Sequence, residues 1–139
     1  MITAVDTNVL LDLLTADREQ GESSREAIRA CLAEGSLVAC PVVWTEVATF
    51  FRPEATAGGE ALERVGVRFV SFSPEAAIKS AFCWQEYRSG RERVRRVAAD
   101  FLIGGHAMVH ADRLLTRDRG FFRGYFEGLA VLDPCEQPI

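Results

Sequence analysis

Short apolar runs alternate with longer segments of helical periodicity along the chain. The apolar runs have the length and composition of strands buried on both faces of a parallel sheet; they are Ile2–Val5, Leu37–Cys40, Val67–Ser71, Leu114–Thr116 and Leu129–Leu132. Strands separated by helices in this way are joined by crossover connections, which place helices on both faces of the sheet. The pattern therefore predicts an α/β fold with a parallel sheet.

The segments outside the apolar runs carry signals that begin and end helices. Pro41 is suited to the first position of a helix, where its missing N–H does no harm, and Gly35 is suited to follow a helix as a C-cap. The predicted helices cover residues 9–14, 22–34, 41–51, 55–65, 74–88, 91–111 and 121–126. The chain of 139 residues shows no repeat or linker and is expected to form one domain, residues 1–139.

Three acidic residues lie near the carboxyl ends of predicted strands. Asp6 and Asp118 come just beyond two strand ends, and Glu46 lies in the first turns of the helix after the second strand. Ligands of parallel α/β sheets gather at this edge, where the strand order reverses. These acids therefore fall where a site is expected. Taken alone, Asp6 could instead cap the following helix, and Asp118 could be an ordinary turn residue.

Asp100 interrupts an apolar stripe on a predicted helix. The stripe has the spacing of one helical face and consists of Val97, Asp100, Phe101, Gly104, Ala107, Met108 and Ala111. A carboxylate in this stripe is expected to face the interior, where an unpaired charge is unfavourable. The neighbouring Gly104 and Gly105 predict the close approach of another element. One alternative is a tight helix crossing in which Asp100 pairs with an arginine.

Glu46 is a second acid in an apolar context, since it is the only charged residue of its predicted helix. It could also stand at the rim of a buried helix. Several inward carboxylates repel one another, and a divalent cation relieves that repulsion. Ligation by oxygen alone suits Mg²⁺ or Mn²⁺, which also bind substrate phosphates. His106 and His110 share no face with Asp100 and are expected to have core or surface roles.

The distribution of charge indicates a region that faces phosphate groups. The formal net charge is −4, which alone argues against a nucleic-acid partner. Nine arginines, however, lie between Arg88 and Arg123 beside only four acidic residues. A basic region on an otherwise acidic body is typical of phosphate binding.

Several other classes of protein lack their signatures here. The four cysteines are far apart and form no C-x-x-C pair, which argues against zinc and thiol redox sites. Neither a G-x-x-x-x-G-K-[ST] loop nor a G-x-S-x-G motif occurs. Haloacid-dehalogenase-like phosphatases need a second aspartate where this chain has Asn8. No apolar run could span a bilayer and the first residues do not resemble a signal peptide, so the cytoplasm is the expected location.

Four segments resemble the motifs of PIN domains, particularly those of bacterial VapC-type toxins. They are VDTNVLLDLL at residues 5–14, WTEV at 44–47, DFLIGGHA at 100–107 and LLTRDRGFF at 114–122. All four follow the order and approximate spacing of the family, and each contains one of the four acids. PIN domains often have Gly-Ala where this chain has Gly104-Gly105, which is a minor departure.

The resemblance implies a three-layer α/β/α sandwich with a parallel sheet of about five strands. It also implies an endoribonuclease that hydrolyses RNA phosphodiester bonds with a metal-activated water. Its catalytic, Mg²⁺- or Mn²⁺-binding residues would be Asp6, Glu46, Asp100 and Asp118. The first and third of these acids are expected to bind the main ion directly, and the other two through water or a second ion. The residues expected to support them are Thr7, Asn8 and Thr116.

The resemblance also implies partners. VapC-type proteins usually form homodimers and are held inactive by a co-expressed antitoxin that covers the active site. The RNA backbone is expected to contact arginines of the basic region, namely Arg93, Arg95, Arg96, Arg117 and Arg119. Two alternatives stay open: a non-catalytic PIN-like module that binds RNA or protein, and an RNA-maturation nuclease without an antitoxin.

Overall fold

A computed structural model of the chain, which describes residues 1–90 and 96–136, contains a five-stranded sheet. In chain order the strands are β1 (Ile2–Val5), β2 (Ser36–Ala39), β3 (Val67–Phe69), β4 (Arg113–Leu115) and β5 (Ala130–Leu132). Their spatial order is β3-β2-β1-β4-β5, and all four pairings are parallel. The predicted α/β fold with about five parallel strands is confirmed.

The helices of the described residues lie in the connections between the strands. They are α1 (Thr7–Leu14), α2 (Gly21–Glu34), α3 (Pro41–Ala48), α4 (Thr56–Val65), α5 (Pro74–Ser89), α6 (Ala98–His110) and α7 (Arg119–Tyr125). Parallel crossovers are right-handed, so the connections from β1 to β2 and from β2 to β3 cover one face of the sheet. The connections from β3 to β4 and from β4 to β5 cover the other face, where α5 packs against α6 and α7.

Two helices are shorter than their periodicity predicted. Helix α3 stops before Thr49, whose hydroxyl donates a 2.6 Å hydrogen bond to the carbonyl of Glu46 and so satisfies a group at the helix end. Helix α6 begins at Ala98, because Val97 has an extended backbone with φ −89° and ψ 158°. Residues 91–95 of that predicted helix lie outside the described part of the chain.

Helix α6 packs against its neighbours through two glycines. Gly104 faces the ring of Phe126, and Gly105 faces Ser80 together with the backbone of α5. A Cβ atom at either glycine would overlap these neighbours, so the predicted close approach of another element is confirmed. This packing fixes the position of α6 and thereby the position of Asp100 in its first turn.

Other expectations concern cysteines, histidines and membrane spans. Cys31, Cys40 and Cys83 are buried free thiols, as expected of core residues. His106 is buried and its Nε2 lies 2.8 Å from the carbonyl of Val70, which confirms a core role. Within residues 1–90 and 96–136, no helix is long and apolar enough to cross a membrane. That residues 1–139 form a single domain stays a prediction.

Candidate active site

The carboxyl ends of β1 and β4 meet side by side at the centre of the sheet. The chain leads from β1 to β2 on one side and from β4 to β5 on the other, so the strand order reverses between these neighbours. Asp6 follows β1 directly, and its backbone N–H donates to the carbonyl of Leu115, the last residue of β4, at 2.9 Å. The predicted acids therefore lie at the point where parallel sheets bind ligands.

Asp6 is the most enclosed of the four acids, with an exposed fraction of only 7%. One carboxylate oxygen accepts from the N–H of Thr7 and the other from the hydroxyl of Thr116, both at 2.7 Å. Burial raises the pKa of Asp6 to about 6; the two hydrogen bonds oppose this shift, and the charges of Asp100 and Glu46 reinforce it. Asp6 thus caps α1 and also belongs to the group of acids.

Asp100 and Asp118 face the same arginine. Arg96 donates to both oxygens of Asp118, at 2.5 and 3.3 Å, and its guanidinium lies 3.9 Å from Asp100 Oδ2. The same guanidinium lies 4.4 Å from the centre of the Phe121 ring. Burial raises the pKa of Asp100, Arg96 opposes the shift, and the charges of Asp118 and Glu46 add to it. The arginine pairing that the sequence left open for Asp100 therefore occurs, although it engages Asp118 more closely.

Glu46 completes the group from α3. Its Oε1 accepts from the hydroxyl of Thr7 at 2.7 Å, and its charge raises the pKa of both Asp6 and Asp100. The Asp100 side chain is 26% exposed and so lies at the rim of this group. The prediction that Asp100 faces the interior holds only in part, because burial raises its pKa while its side chain stays partly exposed. Three other helical members of the stripe are buried, namely Phe101, Gly104 and Ala107.

Two threonines link the acids to one another. Thr7 binds Asp6 through its N–H and Glu46 through its hydroxyl. Thr116 donates its hydroxyl to Asp6 and accepts from the N–H of Asp118 at 3.0 Å. Each threonine thus orients two acids at once, which is the geometry of residues that support ligands. Their supporting role in catalysis stays a prediction.

Arg117 belongs to a polar network behind the acids. Its guanidinium pairs with Asp12 and donates to the Ser24 hydroxyl at 2.5 Å and to the Gln20 carbonyl at 2.9 Å. Its backbone N–H donates to Asn8, whose amide in turn lies 3.4 Å from Asp6 Oδ2. The Arg117 side chain is only 17% exposed. A contact between Arg117 and RNA stays a prediction, and it would require this network to open.

Replacement of Arg117 by leucine is expected to lower the free energy of unfolding by about 2–4 kcal/mol, because it leaves the half-buried Asp12 carboxylate without its cation and with only the Ser24 hydroxyl as a donor. Urea unfolding in EDTA would measure the change. The control is Arg119→Leu, which removes an arginine that is 48% exposed and should change stability by less than about 1 kcal/mol. Equal effects of the two variants would show that the Arg117 network contributes no more than an exposed ion pair.

The other arginines predicted to contact RNA have different surroundings. Arg93 and Arg95 lie outside the residues that the structure describes. Arg119 is half exposed and pairs with Glu136 at 2.9 Å, whereas Arg96 lies among the acids. Contacts between these residues and RNA stay predictions.

The donor set has the chemistry of a site for a hard divalent cation. All four candidate ligands are carboxylates. Burial, reinforced by the neighbouring carboxylates, raises the pKa values of Asp6 and Asp100, and a cation would compensate the buried negative charge. Across residues 1–90 and 96–136, however, no three acidic, histidine or cysteine side chains lie close enough together to hold an ion. Asp118 is bonded to Arg96 and Glu46 to Thr7 instead. The residues fit a metal ion once these side chains turn towards it.

The sequence did not predict two ion pairs near the site, Arg117 with Asp12 and Arg96 with Asp118. Asp12 was a visible signal, because it is a charged residue within the apolar segment that forms α1. Arg96 precedes Asp100 by four residues, a spacing that pairs charges within a helix. Arg96 lies before the start of α6, however, and its closer partner, Asp118, is 22 residues away. Only the fold brings these two side chains together.

Comparisons with solved structures find the same fold in other proteins. VapBC-1 of nontypeable Haemophilus influenzae has a TM-score of 0.75 at 17% identity, covering 98% of this chain and 100% of that one. A toxin–antitoxin complex from Klebsiella pneumoniae has a TM-score of 0.71 at 23% identity, covering 97% of this chain and 99% of that one. Mycobacterium tuberculosis VapC20, a sarcin–ricin-loop-cleaving toxin, has a TM-score of 0.58 at 15% identity, covering 88% of this chain and 94% of that one.

These likenesses, at such low identities, concern the fold alone. A search of curated protein sequences finds no match. The model of the PIN domain family, in contrast, matches residues 3–127, which include all four motif segments. The chain therefore belongs to the PIN-domain family.

Proposed function

We propose that the chain is a Mg²⁺- or Mn²⁺-dependent endoribonuclease that acts in the cytoplasm as the toxin of a VapBC-type toxin–antitoxin pair. The observation that carries the proposal is the group of four carboxylates at the point of strand reversal in a PIN fold. Carboxylates alone would repel the phosphates of RNA. The group can serve a phosphodiester substrate only if a cation lies between the acids and the phosphate.

We infer the following roles for the residues of the site. Asp6 and Asp100 would hold the ion directly, with Glu46 and Asp118 contributing through water or a second ion. When bound, the cation lowers the pKa of a bound water and neutralises charge on the phosphate. With a pKa of about 6, Asp6 is mostly ionised at neutral pH and so is available as a ligand. Thr116 holds one of its oxygens in place.

Similar structures and exposed apolar side chains support protein partners. The Klebsiella structure is a toxin–antitoxin complex, and VapC20 is described as a toxin that cleaves the sarcin–ricin loop. In the present chain Phe50, Phe69, Ile78 and Phe82 are between 53% and 71% exposed. Ile78 and Phe82 lie one turn apart on α5 and line the same groove, and contiguous exposed apolar surface favours protein contacts. These exposed side chains are candidate surfaces for an antitoxin and for a second copy in the predicted homodimer.

Cleavage of total cellular RNA by the purified protein tests the proposal. The wild type should give discrete bands with Mg²⁺ or Mn²⁺ and none with EDTA, and Asp100→Asn should give none under any of these conditions. The reason is that the variant loses a charged ligand of the ion. The control is Asp17→Asn, at an exposed loop position where an amide oxygen can keep the bonds from the N–H groups of Glu19 and Gln20.

Two results would contradict the proposal. Bands that persist in EDTA, or in Asp100→Asn, would exclude cleavage by a metal held at these acids. A folded, metal-replete wild type that cleaves nothing, after a co-purified inhibitor has been excluded by mass spectrometry, would favour the non-catalytic binding module. Cleavage restricted to precursor RNAs would favour the maturation nuclease.

A further inference from the structure

A guanidinium already lies among the four acids. Arg96 binds both oxygens of Asp118 and lies 3.9 Å from Asp100. These two acids lie in different parts of the chain, since Asp100 belongs to α6 and Asp118 directly precedes α7. The positive charge therefore bridges two of the acids that the proposed function assigns to the metal site.

Contacts with two helices, α5 and α7, hold Arg96 in this place. Its backbone N–H donates to the hydroxyl of Tyr87 on α5 at 2.9 Å. The Phe121 ring of α7 lies beneath the guanidinium at 4.4 Å, within the range of a cation–π interaction. Its side chain is only 28% exposed. A surface arginine that met an acid by chance would not have such an enclosure.

This position of Arg96 conflicts with a metal ion at the same acids. Arg96 engages both Asp118 oxygens, at 2.5 and 3.3 Å, so turning this carboxylate to a metal ion or to its bound water moves it out of the geometry of the pair. A divalent cation beside the guanidinium would also be repelled, since like charges a few ångströms apart interact strongly near a protein surface. This agrees with the finding that no three potential ligands in the described residues are gathered around one point.

We propose that Arg96 is a built-in counter-ion of the metal-free site, and that binding of the divalent cation requires Arg96 to release Asp118. The inference rests on the proposed function, because it concerns the same acids. The pair stabilises the metal-free protein by neutralising acids that would repel one another. Whatever stability it contributes opposes metal binding by the same amount, because the two states are linked.

Calorimetric titration of the full chain with Mn²⁺, in the absence of RNA, tests the exchange. Arg96→Gln should bind Mn²⁺ about three- to tenfold more tightly than the wild type, the range expected from losing a partly exposed ion pair. Arg123→Gln, which removes an equal charge that pairs with Glu136, should stay within about twofold. Arg96→Lys keeps the charge but lacks the two-pronged fork, and it should bind more tightly than the wild type and less tightly than Arg96→Gln.

Thermal unfolding with and without Mn²⁺ separates this role from a merely structural one. In EDTA, Arg96→Gln should melt below the wild type because its acids have lost their counter-ion. Saturating Mn²⁺ should raise its melting temperature by more than it raises that of the wild type. A structural arginine would lower both melting temperatures equally, which would overturn the inference.

Asp100→Asn distinguishes failure of this inference from failure of the proposed function. If Asp100→Asn loses Mn²⁺ binding while Arg96→Gln and the wild type bind equally, the exchange is refuted and the metal site stands. If Asp100→Asn binds Mn²⁺ as tightly as the wild type, or if no variant binds it, the proposed metal site fails and the exchange fails with it.

Discussion

Asp6→Asn is expected to abolish RNA cleavage while stabilising the metal-free protein. The amide keeps an acceptor for the N–H of Thr7, and the Thr116 hydroxyl can accept from the new NH₂ group. Only the long 3.4 Å bond from the Asn8 amide to the replaced oxygen is lost. The substitution removes a charge whose burial raises the pKa from its ordinary 3.8 to about 6. A shift of this size corresponds to about 3 kcal/mol, so a gain of about 1–3 kcal/mol in the free energy of unfolding is expected at pH 7 in EDTA.

Activity should change in the opposite direction. Even residues behind a metal ligand contribute about 10- to 100-fold to affinity or rate, so the loss of Asp6 itself should lower cleavage at least about 100-fold. Gel assays with Mg²⁺ or Mn²⁺ would measure the cleavage, and urea unfolding in EDTA the stability. A variant that is both inactive and less stable than the wild type would show that the charge of Asp6 does not destabilise the fold.

The stabilising effect should depend on pH in a defined direction. The pKa of Asp6 is about 6 in the folded chain, against 3.8 ordinarily. Between these values the folded state binds more protons than the unfolded state, so this group lowers stability progressively as the pH rises from about 4 to about 6. Above about pH 6 the full effect is present. The stability difference between Asp6→Asn and the wild type should therefore grow across this window and then level off.

Unfolding curves at pH 4, 5, 6 and 7 would test this dependence, with Asp17→Asn as the control. Other carboxylates titrate in the same range, and their contribution cancels when the unfolding free energy of the wild type is subtracted from that of the variant at each pH. A difference that stays constant from pH 4 to pH 7 would exclude a raised pKa at Asp6. A cation bound at the acids should remove the effect, because it compensates the buried charge. If the proposed function is correct, Asp6 lowers the stability of the metal-free fold, and the bound metal ion restores that stability.

The sequence predicted those features that depend on local pattern. Buried strands and amphipathic helices differ in period and length, which is why the five strands and the order of elements could be read directly. Glu46 and Asp100 stood out because a carboxylate is unfavourable in an apolar segment, and Asp6 because it follows a strand end directly. Gly104 and Gly105 stood out because glycine weakens a helix unless space is needed. In each case one segment of chain contains the whole signal.

Features that depend on distant pairing could not be predicted in this way. Arg96 and Arg117 look alike in a count of arginines, yet one lies among the acids and the other pairs with Asp12, 105 residues away. The backbone N–H of Arg96, just before α6, likewise has its acceptor on another helix, the Tyr87 hydroxyl of α5. Whether a basic residue is free for RNA is decided by partners that only the fold supplies, so a basic region in sequence does not establish a basic surface.

Gly105→Ala is expected to destabilise the protein by about 1–2 kcal/mol. The added methyl group would overlap the Ser80 hydroxyl and would lie 2.8 Å from both the Ala76 carbonyl oxygen and the Ser80 backbone nitrogen. Two of these atoms belong to the backbone of α5, which cannot move aside alone, and overpacking of this kind typically costs about 1–3 kcal/mol. The loss should exceed the gain of about 1 kcal/mol that alanine brings to a helix. Urea unfolding would measure the difference.

The control is Gly124→Ala in α7, where an added Cβ would meet nothing within 4 Å, so stability should be unchanged or raised by up to about 1 kcal/mol. Adding Ser80→Ala to Gly105→Ala should restore only part of the stability, because the two backbone contacts remain. Full restoration would assign the clash to the hydroxyl alone. A stable Gly105→Ala protein would mean that α5 and α6 can separate. Because α6 carries Asp100, such a separation would shift this acid relative to Asp6, and RNA cleavage by the variant should then fall although the fold persists.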